Sequence, residues 1–300
     1  MGWSFERVAG PFGSATVGIA WDGSGVLFSN PESHLILRYD PRDGQVSEFR
    51  KYTNGAAGLA FAPNGELYGA QQLSRRIVRY NPEGSTSPMT YRFGGVPYHD
   101  SFHNMPKHLT IDAAGRIWFS DPAPRGTASG PPLPYPDHCS ILRLEQAGDR
   151  SWVLKRGTYD TSAPSGVALS PDGKTLYVSD EGTDGATLRA YPVNADASLG
   201  EYEVLHSFGG DRHGRFRGID GMTVDAEGNI VAAAGSATAG PGALIYVISP
   251  AGRVLDTQAV PADPANCAFG GADLTSLYVT TVDGSLHRAR NTGRRGLARR

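Results

Sequence analysis

Short apolar segments recur along the chain in one fixed arrangement. Each copy is an apolar strand, a polar turn that contains glycine, and a second apolar strand, as in Gly166–Leu169 followed by Thr175–Val178. Short segments of this kind, separated by turn residues, are typical of antiparallel β-strands. The first strands of the six copies begin at equivalent positions, which are Gly18, Gly58, His108, Gly166, Gly221 and Cys267.

The spacing of these copies indicates the architecture. Successive copies lie roughly 40 to 60 residues apart, which is the length of one four-stranded propeller blade. A glycine stands where the hairpin needs positive φ in five of the turns, at Gly25, Gly65, Gly115, Gly173 and Gly228. A third strand follows several copies, at Leu35–Tyr39, Arg76–Tyr80, Ser140–Leu144 and Ala243–Val247. The pattern predicts an all-β, six-bladed β-propeller that forms a single domain over residues 1–300. A β-sandwich or a solenoid is the competing fold.

Composition and charge narrow the classes of partner. The formal net charge is −2, and basic residues cluster only in the tail from about residue 290, which we expect to be frayed. A nucleic-acid site would need a concentrated basic patch, so none is expected. No apolar run has the length of a membrane span, and the first residues lack a signal-peptide pattern. Cys139 and Cys267 are too few for a disulfide framework and are expected to be reduced. We therefore expect a cytoplasmic protein, and we leave its oligomeric state open.

The repeat also predicts which side chains meet at the centre. In a propeller the innermost strand of each blade lines the central channel, and its first residue lies near the channel mouth. In each copy this residue immediately precedes the glycine or its equivalent. The six residues, called the inner ring below, are Val17, Ala57, Lys107, Ser165, Asp220 and Asn266. We expect the inner ring to bind the ligand.

Several copies resemble a known family. The segments Ser165–Asp180, Asn266–Gly271 and Ile117–Pro122 are similar to the gluconolactonase and senescence-marker-protein (regucalcin-like) family, and the resemblance runs from about Val17 to Arg288. It implies a six-bladed propeller that acts on a small organic substrate. Relatives of this shape include lactone hydrolases, diisopropyl fluorophosphatase and, more distantly, strictosidine synthase. The family does not fix one reaction, because function resides in the site and not in the fold.

The resemblance also implies a metal site that this chain has largely lost. Metal-dependent members hold one divalent ion, usually calcium, with Glu on the first blade, Asn on the third and fourth, and Asp on the fifth. The matching positions here are Val17, Lys107, Ser165 and Asp220, so only the aspartate is retained. Calcium takes about six to eight oxygen ligands, and an ammonium would repel it. We therefore predict no metal cofactor. The alternative is a calcium site rebuilt from Asp220, Asn266 and waters.

The resulting hypothesis is that Lys107 replaces the metal electrostatically. Its ammonium would pair with Asp220 across the channel and polarise a substrate carbonyl, as a metal would. A lysine in this position would alternatively act as a base or as an imine-forming nucleophile. The competing interpretation is an ion pair that only plugs the axis of a protein without activity.

Further polar residues stand at the ends of the second strands, on the same face. Gln71 occupies the place where the resemblance implies a Glu, and it is a candidate substrate contact together with Asp180. Asp121 is a candidate general acid or base. Turn capping is the alternative for both aspartates, because Asp near Pro122 or Gly182 commonly accepts hydrogen bonds from the backbone.

Histidines crowd the segment that leads into the third blade. The spacing of His99, His103 and His108 matches no fixed zinc motif, so a zinc site is the weaker interpretation. We expect His99 or His103 to lie over the substrate as a proton-transfer group, with His103 the catalytic candidate. His108 is expected to face away from Lys107, because side chains alternate along a strand.

Two long irregular segments, Ser87–Met105 and Pro122–Asp137, are expected to form walls of the binding site. Tyr98 and Phe102 would then supply apolar contacts to the ligand. Mobile surface insertions are the alternative.

These observations predict an enzyme that opens or closes a lactone, ester or related ring in a small molecule. The chain contains no Gly-x-Ser-x-Gly nucleophile elbow, phosphate-binding glycine loop or paired-histidine zinc helix. A calcium-dependent lactonase with rearranged ligands and a non-catalytic ligand-binding propeller are the two alternatives.

Overall fold

Six four-stranded antiparallel sheets surround a central channel in a computed structural model of the chain. The structure describes residues 2–90, 103–123, 138–148, 151–182, 185–211, 214–215 and 217–298. In chain order the strands are β1 (Phe5–Ala9), β2 (Ile19–Trp21), β3 (Val26–Asn30), β4 (Leu35–Tyr39), β5 (Val46–Lys51), β6 (Ala56–Phe61), β7 (Leu67–Gln71), β8 (Arg76–Tyr80), β9 (Thr86–Thr90), β10 (Leu109–Ile111), β11 (Ile117–Asp121), β12 (Ser140–Gln146), β13 (Trp152–Arg156), β14 (Pro164–Leu169), β15 (Thr175–Gly182), β16 (Gly185–Pro192), β17 (Glu203–Phe208), β18 (Gly210–Asp211), β19 (Gly214–Arg215), β20 (Ile219–Val224), β21 (Ile230–Ser236), β22 (Ala239–Ile248), β23 (Val254–Ala259), β24 (Pro264–Gly270), β25 (Ser276–Thr281) and β26 (Leu286–Ala289).

The predicted six-bladed propeller is confirmed. Blades I to V are β2–β5, β6–β9, β10–β13, β14–β17 and β20–β23, and blade VI is β24–β26 completed by β1 at its outer edge. The innermost strands β2, β6, β10, β14, β20 and β24 each contact the next one, and β24 contacts β2 again. The pairing of β1 with β26, with Phe5 opposite Ala289, closes the ring between the two ends of the chain. The repeat did not predict this closure, because β1 lies outside the repeating unit.

Apolar side chains fill the spaces between adjacent blades. Six separate buried clusters lie at the six blade-to-blade contacts. Trp118 of blade III packs with Val178 of blade IV, and Phe28 of blade I packs with Tyr278 of blade VI. Both faces of every sheet are therefore buried, as stacked blades require. This packing fixes the radial position of each inner strand.

A β-bulge lies at the start of the inner strands, at the channel mouth. In blade I the N–H of Val17 donates to Ser29 O, and the N–H of Ser29 donates to Gly18 O, so two residues oppose one. Gly18 lies against the next blade, where a Cβ would stand 1.8 Å from the carbonyl oxygen of Ala57. Glycine is therefore required there by the close approach of two backbones.

Most predicted turns form as expected, with two local corrections. Gly65, Gly115, Gly173 and Gly228 adopt positive φ, but in the first hairpin the positive φ belongs to Gly23 and not to Gly25. Ser87–Thr90, assigned from the sequence to a long irregular segment, is part of β9. The rest of that segment up to residue 102, and residues 124–137 of the second one, lie outside the described residues.

The tail is ordered through residue 298, which corrects the expectation of a frayed end from about residue 290. The Arg294 guanidinium contacts the buried carboxylate of Asp225 at 2.8 Å. The N–H of Ala226 donates to Arg295 O (2.7 Å), and the N–H of Gly296 donates to Leu274 O (2.9 Å). The tail therefore bridges blades V and VI at the end of the channel opposite the inner ring.

Both cysteines are free thiols. Over the described ranges, the chain forms no helix with the length and apolar character needed to cross a membrane.

Candidate functional site

Asp220 lies at the centre of a polar cluster at the channel mouth. The ammonium of Lys107 contacts its Oδ1 and also donates to Ser165 Oγ at 2.9 Å. Ser165 Oγ in turn lies 2.9 Å from the Asp220 carbonyl oxygen and 3.2 Å from its Oδ1. The structure thus brings together inner-ring residues from blades III, IV and V. The Lys107 side chain remains 26% exposed.

A second cation reaches the same carboxylate. The Arg217 guanidinium contacts Asp220 Oδ2 through Nη2, and its Nη1 donates to the carbonyl oxygens of Gly235 (3.3 Å) and Pro264 (3.2 Å). Burial alone would raise the pKa of Asp220, but Lys107, Arg217 and the hydrogen bond from His108 hold it well below its usual range. Asp220 is therefore a firmly ionised counter-ion and a weak base.

Sequence reasoning missed Arg217. It lies in the segment between β19 and β20, outside any repeated strand, and nothing in the pattern indicates where its side chain turns. The only sequence feature that could have indicated a role for Arg217 is its position three residues before Asp220.

His108 joins this cluster, which corrects the expectation that it faces away from Lys107. Its Nε2 lies 3.3 Å from Asp220 Oδ1. The reason is a β-bulge: the N–H of Lys107 donates to Ser120 O, and the N–H of Ser120 donates to His108 O. Two successive residues therefore oppose Ser120, and the alternation of side chains is interrupted.

Asn266 approaches the site through His108 and not through Asp220. Its Nδ2 lies 3.2 Å from His108 Nδ1, while its Oδ1 accepts the N–H of Cys267 at 2.8 Å. Burial lowers the pKa of His108, and the hydrogen bond to Asp220 only partly opposes that effect. His108 is therefore neutral at pH 7, and it links blade VI to Asp220.

The remaining inner-ring residues are apolar. Val17 is half-buried and Ala57 is fully buried. Below the ring the inner strands enclose a cavity of about 260 Å³, which reaches from His108 and Asn266 to Gly296 and Leu297 of the tail. The polar chemistry of the ring is thus concentrated on blades III to VI.

The candidate residue Asp121, at the end of a second strand, accepts hydrogen bonds from the backbone. Asp121 is fully buried and accepts the N–H groups of Asn104 (2.9 Å) and Met105 (3.0 Å). Burial raises its pKa to about 7, although both hydrogen bonds oppose the shift. This geometry is that of the capping alternative, in which Asp121 shapes the segment leading to Lys107.

Asp180 and Gln71 are likewise occupied by local partners. Asp180 accepts the N–H groups of Ser162 and Ala163 and pairs with Arg189 at 2.9 Å. Gln71 is buried, and its Oε1 accepts Ser74 Oγ–H and Arg76 Nε–H, both at 2.8 Å.

The structure places His103 away from solvent. Its ring is fully buried, packs edge-on against Phe119 and lies 3.3 Å from Thr90 Oγ1 through Nε2. Burial, with minor contributions from His138 and Arg75, lowers its pKa to about 3. A buried neutral ring is not the exposed group over the substrate that the sequence suggested. The other predicted contacts from this segment, Tyr98, His99 and Phe102, lie outside the described residues.

The residues present do not fit the calcium ion that the fold family implies. One oxygen of Asp220 contacts Lys107 and the other contacts Arg217, so a divalent ion would meet two cations. The oxygen of Asn266 is committed to a backbone N–H. Among the described side chains, no group of three or more His, Cys, Asp or Glu is arranged to hold a metal ion. In the described part of the chain, the side-chain oxygens of Asp220 and Asn266 that the alternative site would use already accept hydrogen bonds.

Comparisons with known proteins agree with the six-bladed propeller fold. A gluconolactonase of Zymomonas mobilis is 27% identical over 269 residues, which cover 83% of this chain and 70% of the relative. A 6-deoxy-6-sulfogluconolactonase of Pseudomonas putida is 29% identical over 258 residues, which cover 82% and 75%. The solved structure of a Xanthomonas campestris gluconolactonase superposes with a TM-score of 0.79 at 24% identity, over 96% of this chain and 89% of that one, and this likeness shows a common fold.

The family model of the SMP-30/gluconolactonase/LRE-like region matches residues 15–283, a span that includes all six inner-ring residues and most of the propeller. The chain therefore belongs to the SMP-30/gluconolactonase/LRE-like family.

Proposed function

We propose that this protein is a lactonase that opens the ring of a small lactone or related cyclic ester, with the Lys107 ammonium acting where metal-dependent relatives use a metal. The observation that supports the proposal is the direct contact of Lys107 with Asp220, the one inner-ring position that keeps the residue the family resemblance implies. Lactonases among its relatives support the reaction class.

The proposed chemistry is electrophilic. Water adds to the lactone carbonyl carbon and negative charge develops on the carbonyl oxygen. The ring C–O bond then breaks as one proton of the added water passes to the ring oxygen, which gives the open hydroxy acid. Among its described partners the ammonium of Lys107 engages Asp220 and Ser165, so one N–H remains to donate to that oxygen. A fixed donor of this kind stabilises the developing charge more than the ground state.

Charge at the mouth supports this assignment. Lys107 and Arg217 carry two positive charges, Asp220 carries one negative charge, and the neighbouring His108 is neutral, which leaves one positive charge in excess. A single excess charge matches the single oxyanion of ester cleavage. Ring closure passes through the same polarised carbonyl, so a cyclase reaction would use the same groups.

Asp220 acts in this proposal as the counter-ion of Lys107 and not as a general base. Its two oxygens face Lys107, Ser165, His108 and Arg217. A carboxylate with that many donors binds a proton weakly. The neutral ring of His108 is no better as a base, because its Nδ1 accepts from Asn266.

The proposal is tested with Lys107→Met and a panel of aldonolactones, with Lys174→Met as the control at an exposed lysine. Loss of the oxyanion donor should lower kcat about 100-fold while the control retains wild-type turnover. Normal turnover by Lys107→Met would exclude the electrophilic role. Absence of turnover by the wild type on every lactone, together with thermal stabilisation by one of them, would favour the ligand-binding alternative.

A further inference from the structure

Arg217 is anchored to the backbone of two neighbouring blades. Its Nη1 donates to carbonyl oxygens of two different blades, Gly235 on β21 and Pro264 on β24. Its own carbonyl oxygen accepts the N–H of Gly235 at 3.0 Å. Both the backbone and the side chain of Arg217 are thus tied to strands whose positions the blade packing fixes.

The other terminal nitrogen of the Arg217 guanidinium contacts Asp220. Nη2 of Arg217 contacts Oδ2, whereas Lys107, Ser165 and His108 approach Oδ1. The two oxygens of Asp220 are therefore divided between one rigid partner and a group of partners that includes the flexible lysine. A planar guanidinium is suited to such a role, because its donors keep fixed relative directions.

Lys107 has less support of its own. Its side chain has four rotatable bonds. Its described polar contacts are the Asp220 carboxylate and Ser165 Oγ. Ser165 is itself oriented by Asp220, since its hydroxyl lies 2.9 Å from the Asp220 carbonyl oxygen. The position of the ammonium at the mouth therefore depends on the orientation of one carboxylate.

We infer that Arg217 is a positioning residue: by holding Oδ2 of Asp220 it keeps Oδ1, and with it the Lys107 ammonium, in one arrangement at the channel mouth. The inference rests on the proposed function for its catalytic consequence, but the positioning itself is independent of turnover. Arg217 acts through Asp220 and is given no contact with substrate.

The test compares Arg217→Gln, Arg217→Lys and a matched control, Arg189→Gln. Arg189 forms an Arg–Asp pair with Asp180 in blade IV, and its described partners do not include Lys107 or Asp220. The chain contains four lysines, so protein labelled with ¹³C-lysine gives a resolvable Lys107 Cε resonance, which is assigned by its absence in Lys107→Met.

We expect Arg217→Gln to move the Lys107 resonance toward those of the exposed lysines and to lower kcat roughly tenfold at nearly unchanged KM, because a small displacement of a reacting group is costly. Arg217→Lys keeps a cation near Oδ2 but loses the planar guanidinium, so it should recover part of both effects. The control should leave the Lys107 resonance in place.

An unchanged Lys107 resonance in folded Arg217→Gln would overturn the inference, and so would an equal change in Arg189→Gln. Arg217→Lys that behaves like Arg217→Gln in both measurements would also contradict it, since the residue would then only support the local backbone. If the wild type turns over no lactone, the proposed function fails, and the resonance alone decides whether Arg217 positions Lys107.

Discussion

The Nδ2 of Asn266 lies 3.2 Å from Nδ1 of His108, and this contact determines how His108 meets Asp220. Because Asn266 Oδ1 accepts the N–H of Cys267, its amide nitrogen must be the group that faces the ring. A donor facing Nδ1 requires Nδ1 to accept. The proton of neutral His108 is then on Nε2, from which it is donated to Asp220 Oδ1.

The first prediction concerns this tautomer. We expect ¹⁵N spectra of the wild type at pH 7 to show His108 as the neutral Nε2–H form, because burial lowers its pKa. Asn266→Asp replaces the donor by a carboxylate, which should favour a proton on Nδ1 and raise the pKa of His108. A charged His108 in the wild type at pH 7, or the same tautomer in both proteins, would contradict the assignment.

The second prediction concerns metal binding. The triple variant Val17→Glu, Lys107→Asn, Ser165→Asn restores the oxygen donors that the family resemblance implies beside Asp220. We expect calorimetry to detect calcium binding with a Kd of about 1 mM or tighter in the variant and none in the wild type. Adding Arg217→Gln should tighten binding further, because it frees Asp220 Oδ2. Equal calcium binding by the wild type would mean that Lys107 does not exclude the ion.

The third prediction follows from burial of His103, which lowers its pKa from 6.5 to about 3. Between these values the unfolded chain binds a proton that the folded chain does not, so the contribution of His103 to stability increases as pH rises toward 6.5 and is lost as pH falls toward 3. Relative to the wild type, His103→Leu should therefore lose stability as pH rises from about 5 to about 6.5, by at most about 1.4 kcal/mol per pH unit.

Urea unfolding of both proteins across this range measures that difference. A stability difference that does not change with pH would contradict the lowered pKa of His103.

The fourth prediction concerns the tail. Arg294→Met leaves the buried Asp225 carboxylate without its cation, and we expect the free energy of unfolding to fall by about 2 kcal/mol. The exposed Arg253→Met serves as the control and should change stability little. Equal stability of the two variants would mean that the tail does not contribute to holding blades V and VI together.

The repeat predicted most of the fold because each blade repeats the same apolar alternation. The third strands at Leu35–Tyr39 and Arg76–Tyr80 have the predicted bounds. The fourth strands were not identified, because they lie at the outer edge and bury fewer side chains, as the half-exposed pattern of Val46–Lys51 illustrates. The pairing of β1 with β26 joins residues from the two ends of the chain, and no local pattern encodes it.

The site was less predictable than the fold. Lys107 and Asp220 followed from the register of the repeat, but the side chain of His108 did not, because the alternation rule fails at a bulge. One sequence feature did indicate an unusual orientation for His108. Four of the other five blades have glycine at its position, so a bulky side chain there must turn toward open space. Arg217 had no comparable signal, since its partner is chosen by tertiary packing of the segment before β20.

We propose that an ammonium, and not a metal, acts at Asp220. The most direct measurement is the turnover of lactones by wild-type protein after exhaustive chelation, with elemental analysis of the same sample. We expect full activity at substoichiometric metal. Activity that disappears on chelation and returns on addition of calcium would contradict it.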